Sequence, residues 1–306
     1  MAKPIVVVGS VNADLYVEID RLPRPGETIA GDDAAVRAGG KGANQAAAAA
    51  RLGGATWFAG RVGDDAFAAP LRGALKDSGV ALDHLATVAG PTGQALILLQ
   101  AGGENSIILV GGANQRWEGG IDQGAAARIA GAGMLLLQRE IPDAANLAAA
   151  RIARAHGVPV LLDLGGMDRP LPAELAELID ILSPNETELK RLTGATGDDE
   201  ASLLAAARTW RGKRPASVLI KLGSRGCLLL PASGEAIAHP AMTVPVVDTT
   251  GAGDCFTAAY AVAVLDGRDE RARLRFACAA AALCVQKKGA MPSMPSRAEV
   301  ERLLME

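Results

Sequence analysis

The chain has 306 residues, with 31 Lys and Arg against 34 Asp and Glu and a formal charge of -3 at pH 7. That length suits one large α/β domain with an appendage and ample material for a core. Because acids and bases are scattered, with no basic stripe, nucleic acid is excluded as a partner.

The opening residues MAKPIVVVGS hold one lysine and a brief apolar run. They read as a strand, too short for a secretory or membrane segment, so no membrane partner is expected. Strand-like and Ala/Leu-rich helical runs then alternate. GANQAAAAARLG is followed by TWFAGRV and DAFAAPLRGALKDSG, then by MLLLQRE and DAANLAAARIARAHG. The series continues with PVLLDLG, LPAELAELI, DILSPN, ETELKRLTG, ASLLAAARTWRG, SVLIKLG and a long helical tail after Gly251. Buried strands separated by helices predict an α/β fold, a mainly parallel Rossmann-like sheet with helices on both faces, in three layers.

Two segments break the rhythm: LYVEIDRLPRPGETIA from Leu15 and GQALILLQAGGENSIILV from Gly93. Neither carries a crossover helix, and the second reads as a β-hairpin turning at Ala101–Asn105. Both are assigned to a small antiparallel sheet. The reading is one domain over 1–306 with lid segments at about 13–34 and 93–111. Each segment adjoins a glycine-rich or polar junction, which fits a lid closing on a ligand or a plain structural extension.

Cys227, Cys255, Cys278 and Cys284 have no C-x-x-C spacing, and His84, His156 and His239 stand far apart. A zinc site and a disulfide framework are therefore not expected, and the cysteines read as small apolar residues in a reduced interior. The chain also lacks G-x-x-x-x-G-K-[ST], an early G-x-G-x-x-G and G-x-S-x-G. This sets aside a P-loop enzyme, a dinucleotide oxidoreductase and the commonest hydrolase elbow.

Asp248–Asp254 reads DTTGAGD and runs directly into the helical CFTAAYAVAVLDG. Glycines admit a ligand to the backbone, and the first free N–H groups of a helix suit an anion. A second aspartate there would repel a resting anion. It makes sense if the anion is transferred to a group that the aspartate deprotonates.

Four further clusters carry two readings each. Gly39–Gln45, GGKGANQ, offers Lys41 and Asn44 as donors to hydroxyls, or is a tight turn before a helix. Asn12 and Asp14 end the first strand, where open α/β sheets bind ligands; together they can hold vicinal hydroxyls, or form an Asx-turn. Asn185 and Glu188 have nearly the capping-box spacing, and Glu188 can also hold Mg2+ through water. Lys221–Gly226, KLGSRG, ends another strand with two cations and two glycines suited to phosphates, or is a hairpin leading into CLLLP.

Taken in order, NAD near the start, GGKGANQA, QRE, SPNETE, KLGSRG, DTTGAGD and KKGAMPSMP closely resemble the ribokinase branch of the PfkB carbohydrate kinases. The resemblance spans essentially the whole chain. GGKGANQA with DTTGAGD is specific to that branch, and LLLQREIP, LLDLGGMD and ALCVQKKGA are most similar to its plant-type members.

The resemblance implies a ribokinase-like fold and ATP-dependent phosphorylation of D-ribose at O5. 2-Deoxyribose, or another sugar or nucleoside, is the alternative acceptor, and a non-catalytic sugar sensor a remoter reading. It implies that Asp254 is the general base, with Gly251, Ala252 and Gly253 presenting N–H groups to the transferring phosphoryl group. Asn12, Asp14, Gly40, Lys41, Asn44 and Glu140 would hold the ribose. Asn185, Lys221, Gly223, Ser224, Gly226, Gly253 and Cys278 would line the nucleotide site. Glu188 would organise the waters of Mg2+. Asp248, Thr250, Cys284, Lys287, Gly289 and Ser293 match the positions of a K+ site, several acting through backbone carbonyls.

There are two departures: Cys278 stands where many relatives have a polar residue beside the adenine, and Lys221 replaces a common threonine. A homodimer paired through the lid is also implied. So is an intracellular location, cytoplasmic for the sequence as it stands, or plastid if a transit peptide has been trimmed.

Overall fold

The computed structural model describes residues 3–100, 105–166 and 169–305. The first half contains β1 (Ile5–Val8), β2 (Asn12–Ile19), β3 (Asp33–Gly39), α1 (Lys41–Arg51), β4 (Thr56–Val62), α2 (Ala68–Asp77), β5 (Ala81–Thr87), β6 (Gly93–Gln100), β7 (Asn105–Val110) and α3 (Gln123–Ala130). Next come β8 (Met134–Arg139), α4 (Asp143–Ala155), β9 (Val160–Gly166), α5 (Ala173–Ala176), β10 (Ile181–Ser183), α6 (Glu186–Thr193) and α7 (Glu200–Arg211). The chain closes with β11 (Ser217–Lys221), β12 (Cys227–Leu230), β13 (Ile237–His239), α8 (Ala252–Leu265), α9 (Glu270–Cys284) and α10 (Arg297–Leu303).

The two-residue period of a strand builds two cores. In β1, Ile5 and Val7 enter one apolar layer while Val6 and Val8 enter the other; in β8, Met134 and Leu136 part from Leu135 and Leu137 in the same way. All eight side chains are buried, each stabilising the fold by about 1.5–3 kcal/mol relative to exposure. Residues of α1, α2, α8 and α9 fill the first layer, and those of α3, α4 and α7 the second. Ala46–Ala49 of α1 are fully buried; small side chains let this helix lie close to its neighbours.

Among the described residues the main sheet has nine strands in the order β13-β12-β11-β10-β9-β8-β1-β4-β5. It is parallel from β11 to β5 and antiparallel at β11–β12 and β12–β13. Strand order reverses at β1, which leaves a crevice beyond the carboxyl ends of β1 and β8, where sheets of this kind bind ligands. A second sheet, β3-β2-β6-β7, is antiparallel in its outer pairs and parallel between β2 and β6. β2 starts four residues after β1 ends, and β3 runs almost directly into α1, so this sheet is rooted at the crevice.

Several elements differ from what the sequence patterns suggest. β3 continues to Gly39, past the expected lid boundary near 34, because β2 offers partners back to Asn12, which pairs with Gly39. The long tail is three helices, interrupted at Gly267 (φ +72°) and again around Gly289 (φ +85°), Pro292 and Pro295. LPAELAELI yields only the one-turn helix Ala173–Ala176. β5, β13 and α3 have no strong period of their own and go unpredicted. Of the expected turn Ala101–Asn105, residues 101–104 lie outside the described residues.

Among the described residues no helix is long and apolar enough to cross a membrane. All four cysteines are free and buried.

Candidate active site

Gly251 begins α8 in the left-handed region, φ +79°. Such a backbone is strained for any residue with a Cβ, so glycine is the natural choice there. Among the described residues no protein acceptor meets the N–H groups of Gly251, Gly253 or Asp254, whereas Ala252 N–H donates to Thr249 O at 3.2 Å. Part of the donor array expected of this turn is therefore spent inside it. The remaining N–H groups are orphan helix donors that an anion can satisfy.

Asp254, in the first turn of α8, is 5% exposed. Its carboxylate accepts from Asn44 Nδ2 at 2.9 Å and Gln45 Nε2 at 3.2 Å, both on α1, and Lys41 Nζ lies 3.9 Å away. Burial pushes its pKa up, Lys41 and Asn44 oppose this, and the net position is above the usual carboxylate range. A carboxylate held this way is a better proton acceptor than one in water. The Asp254 charge in turn holds Lys41 protonated, above the ordinary lysine value.

The other expected sugar ligands gather at the same crevice. Asp14, on β2, is buried, and its pKa is raised to about 8, first by burial and then by the charges of Glu140 and Asp254. Glu140, just past β8, accepts from Ser10 Oγ at 2.6 Å and Lys41 N at 3.0 Å. Asn44 spends its amide donor on Asp254, and its Oδ1 is buried without a partner. A buried acceptor left unpaired is costly, so this atom calls for a donor from a ligand. Gly40 sits at φ +89°, where a Cβ would come within 2.8 Å of Asn12 N. The glycine thus lets β2 and the start of α1 converge.

Behind these groups lies a layer of residues that motif reading misses. Asp163, fully buried in β9, accepts from Lys221 Nζ at 2.7 Å, Thr257 Oγ1 at 2.9 Å, Gly165 N at 2.9 Å and Gln45 Nε2 at 3.3 Å. Burial pushes Asp163 up, but Lys221 and Lys41 outweigh it and hold the carboxyl below its ordinary value. Gln138 Nε2 donates to Gln45 Oε1 at 2.7 Å. A lone carboxylate in an apolar strand, as in LLDLG, is itself a signal, because a buried charge needs a cation and hydrogen bonds.

The nucleotide candidates form a second group at the ends of β10 and β11. Asn185 and Lys221 are bridged strand neighbours, and Lys221 N donates to Pro184 O at 2.9 Å. Lys221 Nζ lies within 3.9 Å of where a Cβ would stand on Gly253, so its ammonium adjoins the start of α8. Gly223 (φ +56°), Ser224 and Gly226 (φ +97°) make the exposed turn after β11. Cys278, on α9, is buried, with its sulfur 3.7 Å from that of Cys227. Asn185 and Glu188 form a complete capping box on α6. Only Oε2 of Glu188 is used in it, at 2.8 Å from Asn185 N, and the Glu188 charge still reaches Lys41. A carboxylate with one oxygen outside the capping box, near enough to the site to act on Lys41, fits a water-mediated Mg2+ ligand.

The last group surrounds Asp248. Its carboxylate accepts from Thr250 N at 2.9 Å and Gly289 N at 2.7 Å, tying the loop before α8 to the turn after α9. Burial raises its pKa, but the Thr250 side chain, the N–H groups of Gly289 and Thr250 and the charge of Arg37 outweigh this, and the net value lies below the ordinary range. Cys284 Sγ is 3.0 Å from Ser293 Oγ, which donates to Ala290 O at 2.6 Å. The Lys287 side chain turns outward to Glu299, 3.1 Å away. The structure thus gathers Asp248, Thr250, Cys284, Gly289 and Ser293, while Lys287 contributes only backbone to this corner.

An α/β core with a second sheet at its crevice, and a buried carboxylate where a glycine turn becomes a helix, is the arrangement expected of a small-molecule kinase. A family model described as pfkB family carbohydrate kinase matches residues 2–297, and the chain belongs to that family. Ribokinase from Arabidopsis thaliana is 50% identical over 308 residues, covering 99% of this chain and 81% of that protein. Ribokinase from Haemophilus influenzae is 38% identical, with 99% of each covered. A solved structure of Arabidopsis thaliana ribokinase complexed with ribose and ATP matches with a TM-score of 0.95 at 50% identity, covering 100% of both chains.

Proposed function

We propose that the protein transfers the γ-phosphoryl group of ATP to O5 of D-ribose, giving D-ribose 5-phosphate and ADP. The observation that carries this reading is the cluster in which Asp254 meets two further carboxyl groups, Asp14 and Glu140, with the unpaired Oδ1 of Asn44 beside it. Such a set suits a compact polyol with several donors. The 50% identity to a protein solved with ribose and ATP supports the choice of both substrates.

In the reaction, the sugar's O5–H bond breaks toward Asp254 as O5 bonds to the γ-phosphorus and the bond to ADP opens. Asp254 then carries the proton. Charge on the transferring group meets the free N–H groups of Gly251 and Gly253 and the ammonium groups of Lys41 and Lys221, which are already fixed in place. Asn185, Gly223, Ser224, Gly226 and Cys278 lie on the side assigned to the nucleotide. Closure of the β2–β3 and β6–β7 sheet excludes water from the reacting atoms.

Mg2+, held through water by Glu188, supplies charge neutralisation on the phosphates when bound. A K+ ion suits the corner formed by Asp248, Thr250, Cys284, Gly289 and Ser293, with its ligands drawn from backbone carbonyls. A second copy of the chain pairs through the lid, whose Val36, Ile107, Ile108, Leu109 and Val110 are all more than 40% exposed. The mass in solution tests this pairing.

Asp254→Asn is expected to lower kcat by about 10²–10⁴-fold, the usual contribution of a general base, with ribose and ATP binding still measurable by calorimetry. Turnover within a few-fold of wild type would overturn the assignment.

A further inference from the structure

Asn12 is assigned to the sugar, yet an amide can face a ligand with either its donor or its acceptor. The protein settles which. Asn114 lies behind Asn12 in a tight turn, Gly112–Gln115, and is 2% exposed. Its Oδ1 accepts from Val11 N at 3.0 Å, while its Nδ2 donates to Val11 O at 3.1 Å and to Asn12 Oδ1 at 2.6 Å.

A backbone N–H can only donate and a carbonyl can only accept, so Val11 fixes both ends of the Asn114 amide. The end of Asn114 that faces Asn12 is then a donor, and Asn12 must turn its oxygen toward it. Among the described residues Asn12 Nδ2 donates to no protein atom, so the amide's donor is the end left for the cavity.

The surroundings hold this pair rigidly. A Cβ on Gly93, which pairs with Asn12 across β2 and β6, would lie 2.0 Å from Asn114 Nδ2 and 2.5 Å from Asn12 Oδ1. The Asn114 turn is itself pinned by Ala113 N to Pro91 O at 2.8 Å and by Trp117 Nε1 to Asn114 O at 3.0 Å. The hydrogen bonds of Asn114, rather than steric confinement, therefore set which way each amide faces.

We infer that Asn114 is a positioning residue for sugar specificity: it never touches the sugar, but it makes Asn12 present a hydrogen-bond donor beside the carboxyl of Asp14. One sugar hydroxyl must accept from Asn12 while the same or a neighbouring hydroxyl donates to Asp14. A pentose that cannot offer both is discriminated against, because it leaves a desolvated amide donor unpaired. This inference rests on the reading of Asn12 as a sugar ligand.

The test is a four-way cycle of wild type, Asn114→Asp, Asn12→Ala and the double variant. Sugar affinity is read by calorimetry, and KM for sugar and ATP by steady-state rates. Asn114→Asp still accepts from Val11 N but can no longer donate, so Asn12 loses its fixed orientation. Sugar affinity is expected to fall on the order of 10- to 100-fold, with KM for ATP changed by less than about twofold. In the Asn12→Ala background the same substitution is expected to add less than about twofold. Fully multiplicative losses, or equal losses for sugar and ATP, would overturn the proposal. If Asn114→Asp folds poorly, Asn114→Ser, whose hydroxyl is too short to span both partners, enters the same cycle with the same expected pattern. The cycle uses whichever pentose the wild type binds, so failure of ribose as acceptor is told apart from failure of Asn114.

Discussion

Asp14, Glu140 and Asp254 lie close enough to feel one another's charge, and the effect falls most visibly on Asp14, whose pKa rises from 3.8 to about 8. In the unfolded chain this carboxyl gives up its proton near pH 4; in the folded, sugar-free protein it keeps it to about pH 8. Between those values the folded state binds more protons, so stability falls as pH rises. The contribution is fully present below pH 3.8 and is lost as pH climbs through about 8. Wild type is therefore expected to show a falling melting temperature between about pH 5 and pH 8.5. In Asp14→Asn that decline should shrink by several degrees while affinity for the sugar drops. Identical pH slopes for the two proteins would show that Asp14 is not held protonated.

The motif residues legible at this scale are those with an obvious chemical signature, such as Asp254 after its glycines and Lys41 and Asn44 within GGKGANQ. Residues that act one layer back are not legible in this way. Ser10, Gln45, Asn114, Asp163 and Thr257 support the site from places that only the folded chain brings together, as with Asp163 and Lys221, 58 positions apart and 2.7 Å from each other.

Among the elements, the loop from Val247 to Gly251 and the turn at Gly289 are joined by the Asp248 carboxylate. The same loop leads into the N-terminus of α8, where the phosphoryl group is expected, so a cation bound there as proposed would act on the reaction without touching the substrate. Arg37 of β3 adds a link to the second sheet: its guanidinium lies over the Tyr16 ring at 4.8 Å and within 3.1 Å of where a Cβ on Gly289 would stand. Replacing K+ with tetramethylammonium, at constant Mg2+ and ionic strength, is expected to lower kcat at least several-fold. Equal rates in the two salts would remove the cation from this account while leaving the kinase chemistry intact.

Elements with a strong period, such as β1, α1, β8 and α4, are readable from sequence because burial on two faces or on one stripe imposes the pattern. β3 is not, since DAAVRAG takes its strand from pairing with β2 rather than from its own alternation. The tail after Gly251 conceals its breaks because Ala-rich runs are helical on either side of them.

For the whole molecule, the path from sequence to function passes through topology. Reversal of strand order at β1 opens one crevice, and the parallel strands deliver Asn12, Glu140, Asn185 and Lys221 to its rim, each from beyond or at a carboxyl end. α1 and α8 then bring Lys41, Asn44 and Asp254 to the same place. The three-layer class and the presence of a second sheet are legible in the order of strand-like and helical runs. The placement of β5 and β13 on the sheet edges is not, because edge strands are specified by their neighbours more than by their own sequence.

The most direct measurement is ADP release from Mg-ATP in K+ buffer, comparing D-ribose with 2-deoxyribose, fructose, adenosine and no sugar. Rapid release that depends on D-ribose and disappears in Asp254→Asn is the expected result. Release with another acceptor but not with ribose would contradict the proposed substrate, and silence with every acceptor would contradict the catalytic role of the site.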